Sequence, residues 1–204
     1  MQKRNLISKL CSNIYLVLVF LFLYAPILAL VIFSFNDSKS MGVLNGFTMK
    51  WYVALFKNET ILSALYYTVS IAVLASIIST IFGTITSIGI YKMRGKAKAT
   101  ILNINYLPVL NTDIVTGVAL MSLFAFFQMN FGFKTMLLSH VMFCTPYVIL
   151  SVLPKLRQLP DNVEEAALDL GATPWLAIRK IVIPQIKPGI MSGFLMAFTM
   201  SIDD

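Results

Sequence analysis

The chain has 204 residues, of which 58% are hydrophobic and only 12% charged, and its mean hydropathy is +0.81. A soluble domain carries about a quarter charged residues, so that class is excluded, and apolar runs long enough to cross a bilayer make this an all-α polytopic membrane protein. The net charge of +7 does not signal nucleic acid, because Lys and Arg sit at the ends of the apolar runs and not in one stripe.

The first run is Ile14–Phe35. It is longer than the apolar core of a signal peptide, about 7–15 residues, and lacks a small-residue cleavage site, so it is expected to be a retained span. Lys3, Arg4 and Lys9 precede it and predict a cytoplasmic N-terminus. Pro26 lies inside the run, where neighbouring helices can satisfy a freed carbonyl. The segment Asn36–Glu59 opens polar, with Gly42 and Gly46, and turns aromatic at Phe47, Trp51, Tyr52 and Phe56. That spacing predicts a short helix lying on the outer membrane surface.

The second run, Ile61–Tyr91, places a small residue at every fourth position: Ala75, Ser79, Gly83 and Ser87. Such a ladder predicts a face on which another helix packs closely. Lys92, Arg94, Lys96 and Lys98 then mark a cytoplasmic turn. A third span is expected over Ile101–Met129, interrupted by Pro108, Asn111, Thr112, Asp113, Thr116 and Gly117. A short loop leads to the fourth run, Thr135–Leu153, which Pro154, Lys155 and Arg157 close. After a loop over Gln158–Lys187 a fifth run opens at Pro188. Pro188–Asp204 would make roughly 25 Å of helix, short of the roughly 30 Å a span needs. The expectation is one transmembrane domain over residues 1–204, truncated so that the end of span five and anything after it are missing.

The Gln158–Lys187 loop is written to be stiff. Asp161 and Glu164 have capping-box spacing, which predicts a helix from Asn162. Val163, Ala166, Ala167 and Leu170 fall on one face of it, and Gly171 supplies a left-handed stop. Thr173 can cap a second helix with Pro174 in its first turn, and Pro184 is expected to end that helix. A helix, a sharp turn and a helix make a rigid knob that docks at low entropic cost; the plain alternative is a connecting loop with tidy ends.

Enzyme chemistry finds little support. His140 is the only histidine, with a packed, hydrogen-bonded helix residue as the simplest reading, and no Ser/His/Asp set occurs at motif spacing. Cys11 and Cys144 suggest neither a disulfide nor a metal site, and no metal or cofactor is expected. No GxxxxGK[ST] occurs, so the chain is not expected to bind ATP. Asp113, beside Asn111 and Thr112, is a carboxylate within an apolar run; such a group costs about 3 kcal/mol on insertion scales and must face a partner or a wet cavity. It either pairs with a neighbouring helix or serves as a cation contact on a transport path.

The stretch EAALDLGATPWLAIRKIVIP, Glu165–Pro184, resembles the EAA loop of bacterial ABC importer permeases, with Ile183 where that family often has Leu. The resemblance extends over nearly the whole chain, through the basic N-terminus, the Trp51-Tyr52 segment and the basic turn. It implies a type I (MetI-like) permease fold, usually of six spans, in the bacterial cell membrane. It also implies ATPase-coupling roles for Glu165, Ala166, Ala167 and Gly171. The partners implied are a cytoplasmic ATP-binding subunit dimer, a second permease subunit and an extracytoplasmic solute-binding protein, all working in a lipid bilayer. PVLNTDIV (Pro108–Val115) and SIDD (Ser201–Asp204) resemble the spermidine/putrescine branch, although Thr112 stands where many of its members have Pro. That branch implies a substrate path along Asp113, Asp203 and Asp204, with Tyr66, Tyr67 and Tyr147 as possible cation–π contacts. A permease for another small solute, a membrane-embedded enzyme and a non-transporting assembly subunit stay open as alternatives.

Overall fold

The computed structural model describes residues 2–38, 42–43, 45–160 and 163–203. They separate into two compact units, Met1–Ser63 and Ala64–Asp204. Asp161 of the expected capping box and Asp204 of the expected path lie outside the described residues.

In the first unit, helix α1 runs over Gln2–Ser34 and carries Pro26 inside it, as expected. Side chains such as Phe22, 80% exposed, are the kind that lipid solvates. A knot around Asn36, itself 2% exposed, follows α1. The Asn36 amide donates from Nδ2 to the Val43 carbonyl (2.6 Å) and accepts at Oδ1 from the Asn45 N–H (2.9 Å). The Trp51 indole donates to the Asn36 carbonyl at 2.8 Å. Asn36 and Phe47 form an antiparallel bridge, and Phe35 stacks on Phe47 with ring centroids 5.2 Å apart. The short helix expected around Trp51 is present as α2, Lys50–Lys57. Lys50 is paired with Asp37 at its foot, and Phe47 and Phe56 are left exposed.

Helix α3 spans Glu59–Lys92 and buries a stripe that includes Ala72, Ala75, Ser76, Ser79, Gly83 and Ser87. The ladder is therefore a packing face, as expected. Its serines avoid a burial penalty by donating to their own helix: Ser76 to the Val73 carbonyl, Ser79 to that of Ser76 and Ser87 to that of Gly83. A Cβ added at Gly83 would lie 2.7 Å from Val148 of helix α6, Phe133–Arg157, which shows how closely the two helices approach. From the other side, helix α9 (Ile183–Asp203) brings Gly193 against the same valine, where an added Cβ would lie 3.2 Å from Val148 Cγ1. Cys144 of α6 donates its thiol to the Ala197 carbonyl of α9 at 3.3 Å. The core of this unit gathers Ile90, Phe143, Val148, Val152, Leu156, Val182 and Ile186 along that seam.

One expectation about helix continuity is corrected and one interruption is given its geometry. The third run, expected to be interrupted around Asn111 and Thr112, consists of α4, Gly95–Leu110, and α5, Asp113–Phe126, which meet at 108°. Asn111 and Thr112 adopt extended backbone between them, at ψ 155° and 147°, and their polar side chains compete with helical hydrogen bonding. Pro108 sits inside α4 and is not the breakpoint. Pro184, expected to end a helix, lies within α9, and the helical path from Pro174 continues past both Pro184 and Pro188. The reason is a π-helical stretch over Ile178–Val182, in which the Ile183 N–H reaches back to the Ile178 carbonyl. The wider turn accommodates the clash and the missing donor that a proline brings to an α-helix.

Candidate coupling loop and translocation cavity

Helix α7, Val163–Asp169, ends in a Schellman motif. Gly171 stands at φ +83°, its N–H donates to the Leu168 carbonyl (2.9 Å), and the Ala172 N–H reaches the Ala167 carbonyl (3.0 Å). The chain then turns into helix α8, Pro174–Ala177, with Pro174 in its first turn and the Thr173 hydroxyl accepting from the Leu176 N–H at 3.4 Å. The corner expected from Gly171, Thr173 and Pro174 is thus formed as written.

Its two sides differ. Glu165, Ala166 and Gly171 are exposed, and Leu170 is 90% exposed. Ala167, Ala177, Val182 and Ile186 are buried. Leu170 therefore does not share a packed face with Ala167, because it is the capping residue where the chain leaves the helix. The loop stands on an apolar foot, in which Val182 and Ile186 join Leu156 of α6 and Ile90 of α3. Its outward surface carries Glu165, Ala166, Gly171 and Trp175, the last 67% exposed.

Asp113 is the first residue of α5 and is exposed beside the bend. It lines a cavity of about 170 Å³ with Thr116, Gly117, Ser139, His140 and Phe143. His140, expected as a packed and hydrogen-bonded residue, does bond Ser201 (Nδ1 to Oγ, 2.9 Å), and it also lies across the cavity wall from Asp113. This juxtaposition was invisible in the sequence, because Asp113 and His140 come to line one cavity only through the packing of α5 against α6. Asp203 is exposed two residues beyond buried Ser201, about 200° around α9. It is not among the residues lining the Asp113 cavity. Tyr147 packs on the cavity residue Phe143, ring centroids 5.6 Å apart, whereas Tyr67 packs on Phe133 at 6.3 Å. Among the described residues no cluster of three or more His, Cys, Asp or Glu side chains forms a metal site.

The family described as binding-protein-dependent transport system inner membrane component matches residues 4–204. The chain belongs to this family. It is therefore a multi-pass inner-membrane component of a transport system, and among the described residues its helices provide four apolar spans, or five if the bent α4–α5 pair counts as one. The spermidine/putrescine transport system permease protein PotC of Haemophilus influenzae is 37% identical over 192 residues, which cover 94% of this chain and 75% of that protein. The PotC protein of Escherichia coli is 32% identical over 98% of this chain and 75% of its own length. The putrescine transport system permease protein PotI of Escherichia coli is 39% identical over 93% and 70%. A chain in the crystal structure of a bacterial ABC transporter that imports the acidic polysaccharide alginate has the same fold, with a TM-score of 0.72 over 92% of this chain and 70% of its own, at 17% identity. The type I permease architecture expected of the family is the observed one.

Proposed function

We propose that this inner-membrane component is the permease subunit through which an ABC importer moves polyamines, with spermidine and putrescine as the solutes. The observation that carries the solute assignment is kinship at 37% and 39% identity with permeases named for those two amines. In this reading an extracytoplasmic binding protein delivers the amine, a second permease subunit completes the path, and a separate pair of ATP-binding subunits hydrolyses ATP. The chain itself does no covalent chemistry. Its N-terminus is cytoplasmic, in keeping with the excess of Lys and Arg at Lys3, Arg4, Lys9, Lys92–Lys98 and Lys155–Arg157.

Glu165, Ala166, Ala167 and Gly171 form the coupling element. The exposed Gly171 corner is stiff enough to transmit a push, and its foot is bonded into the core by Val182 and Ile186. Asp113, Asp203 and Asp204 are assigned to the path as separated acceptors, because a cation held too tightly at one site would not leave. The test is ATP hydrolysis by the complex, co-purified with its neighbours, in response to spermidine and putrescine. Stimulation by these amines is the expected result; stimulation by a sugar or an anion and not by the amines would overturn the assignment.

A further inference from the structure

Ile81, Ile85 and Ile88 of α3 and Ile178, Ile183 and Ile190 of the path through α8 and α9 line an open groove of about 380 Å³. The π-helical stretch builds one of its walls. Residues 178 and 183 would stand about 140° apart around an α-helix, whereas the wider turn, closed by the Ile183 N–H on the Ile178 carbonyl, sets one above the other on the groove side. Ile88 and Ile178 also wall a small cavity of about 40 Å³ with Tyr91 and Lys92, so this end of the groove lies at the basic turn. From Ile88 the groove follows α3 back to Thr80, about 12 Å at 1.5 Å per residue, which fits within half of the roughly 30 Å hydrocarbon thickness of a bilayer.

The mouth is aromatic and basic. Trp175 lines it and is 67% exposed, and indoles favour the headgroup layer. Arg179 comes four residues after Trp175 and four before Ile183, which places it on the same helical face as these two groove residues. Lys180 follows it. Both cations are exposed and, among the described residues, neither is paired with a carboxylate. Inside the groove Thr84 is 9% exposed, and its hydroxyl has no hydrogen-bond partner. A buried orphan donor carries a cost that an acceptor in the groove would remove. Positive charge at the mouth, an orphan donor within and hydrocarbon elsewhere match an anionic glycerophospholipid, which presents a phosphate, then ester carbonyls, then an acyl chain. An apolar helix of a partner protein would leave both the charge and the Thr84 hydroxyl unanswered.

We propose that the groove between α3 and the α8–α9 path is a binding site for an anionic phospholipid, with its phosphate at Arg179, an ester carbonyl at Thr84 and an acyl chain along the isoleucines. Hydrocarbon gains little by leaving lipid for an apolar groove, so the selectivity of the site comes from the headgroup, as at other basic pockets between spans. The proposal rests on the cytoplasmic placement of the basic turn only for which leaflet supplies the lipid.

The test is quenching of Trp175 fluorescence in the full complex in detergent, titrated with phosphatidylglycerol or phosphatidylcholine carrying brominated acyl chains. The part of the quenching that Trp175→Phe removes reports the groove. Phosphatidylglycerol is expected to half-saturate at the lower concentration. Arg179→Gln should raise that concentration about fivefold, the equivalent of about 1 kcal/mol, and leave phosphatidylcholine unaffected, whereas Lys134→Gln, at an exposed residue that opens α6, should change neither. Ile85→Phe, at an exposed position, should fill the groove and weaken both lipids. Equal quenching by the two lipids, indifference to Arg179→Gln, or no quenching traceable to Trp175 would overturn the proposal. A photocrosslinker replacing Ile85 that captured a protein subunit and not lipid would overturn it too. The measurement uses no ATP, amine or oriented membrane, so its failure leaves the solute and orientation readings standing, and their failure leaves the site.

Discussion

Gly171 offers the sharpest perturbation of the coupling loop. Its φ of +83° lies where an L-residue is strained, yet a Cβ built there meets nothing within 4 Å. The cost of Gly171→Ala is therefore conformational and not steric, about 1–2 kcal/mol for a left-handed residue. That lowers the weight of the bent corner by about 5–30-fold, which is the largest factor by which binding of a partner that selects the corner can weaken. Gly171→Asn should cost less, because asparagine enters this region more readily. Gly171→Pro should cost most. Proline fixes φ near −65° and removes the N–H that donates to the Leu168 carbonyl at 2.9 Å. The expected order of coupling is Gly, Asn, Ala, Pro, read as solute-stimulated ATP hydrolysis and uptake by the reconstituted complex. Hydrogen exchange at the Ala172 amide, which donates to the Ala167 carbonyl, should rise in the same order. A Gly171→Pro protein that kept wild-type uptake per ATP would refute the reasoning, as would an asparagine variant worse than alanine.

Glu165→Lys reverses the charge of an exposed corner residue and should uncouple ATP turnover from uptake while membrane insertion is unchanged; normal uptake by a well-inserted variant would count against the coupling role. Gly83→Ala should lower the thermal midpoint in detergent, since the added methyl falls 2.7 Å from Val148 and overpacking costs about 1–3 kcal/mol. Adding Val148→Ala should return part of that loss, and failure of the rescue would mean that the strain lies elsewhere. Asn36→Leu should open the turn after α1 to proteases, because it removes the hydrogen bonds to the Val43 carbonyl and from the Asn45 N–H, each worth about 0.5–1.5 kcal/mol; an unaltered cleavage pattern would deny the knot its role.

What the sequence revealed was local. The Gly171 corner was legible because glycine, Thr173 and Pro174 each have one favoured backbone role, and those roles follow in order. The α3 ladder was legible because small residues at every fourth position have few uses other than close packing. The run of helix through Pro184 was not, because a proline reads as a stop unless a π-turn precedes it, and Ile178–Val182 carries no signal for one. Asn111 and Thr112 announced an interruption but not its 108° angle, which depends on what α5 packs against. The Asn36 knot depends on the Val43 carbonyl and the Asn45 amide, whose positions no pattern in the chain specifies. His140 was read from its own helix alone, and its place beside Asp113 is a property of two helices together.

The arrangement of α6 gives the two candidate sites a common part. One end of this helix supplies Leu156 to the apolar foot of the Glu165 loop, and the other supplies Ser139, His140 and Phe143 to the Asp113 cavity. From His140 to Leu156 is about 24 Å at 1.5 Å per residue. Pro146 lies between them and removes a backbone donor from the helix, so the α6 backbone by itself is weakened along that path. The close approaches are placed where they offset the weakness. Val148 is held between Gly83 and Gly193, and Cys144 is bonded to the Ala197 carbonyl. Glycine contacts of this kind leave no slack in which one helix slides past another, because interiors packed to this density have two arrangements or one, not a continuum. A displacement applied at the Glu165 corner therefore moves α6 and α9 as a pair, and the His140–Ser201 bond spanning them at 2.9 Å keeps that pair registered at the cavity wall. Under the coupling and path roles proposed above, motion at the loop would reach Asp113 as a shift of the wall opposite it.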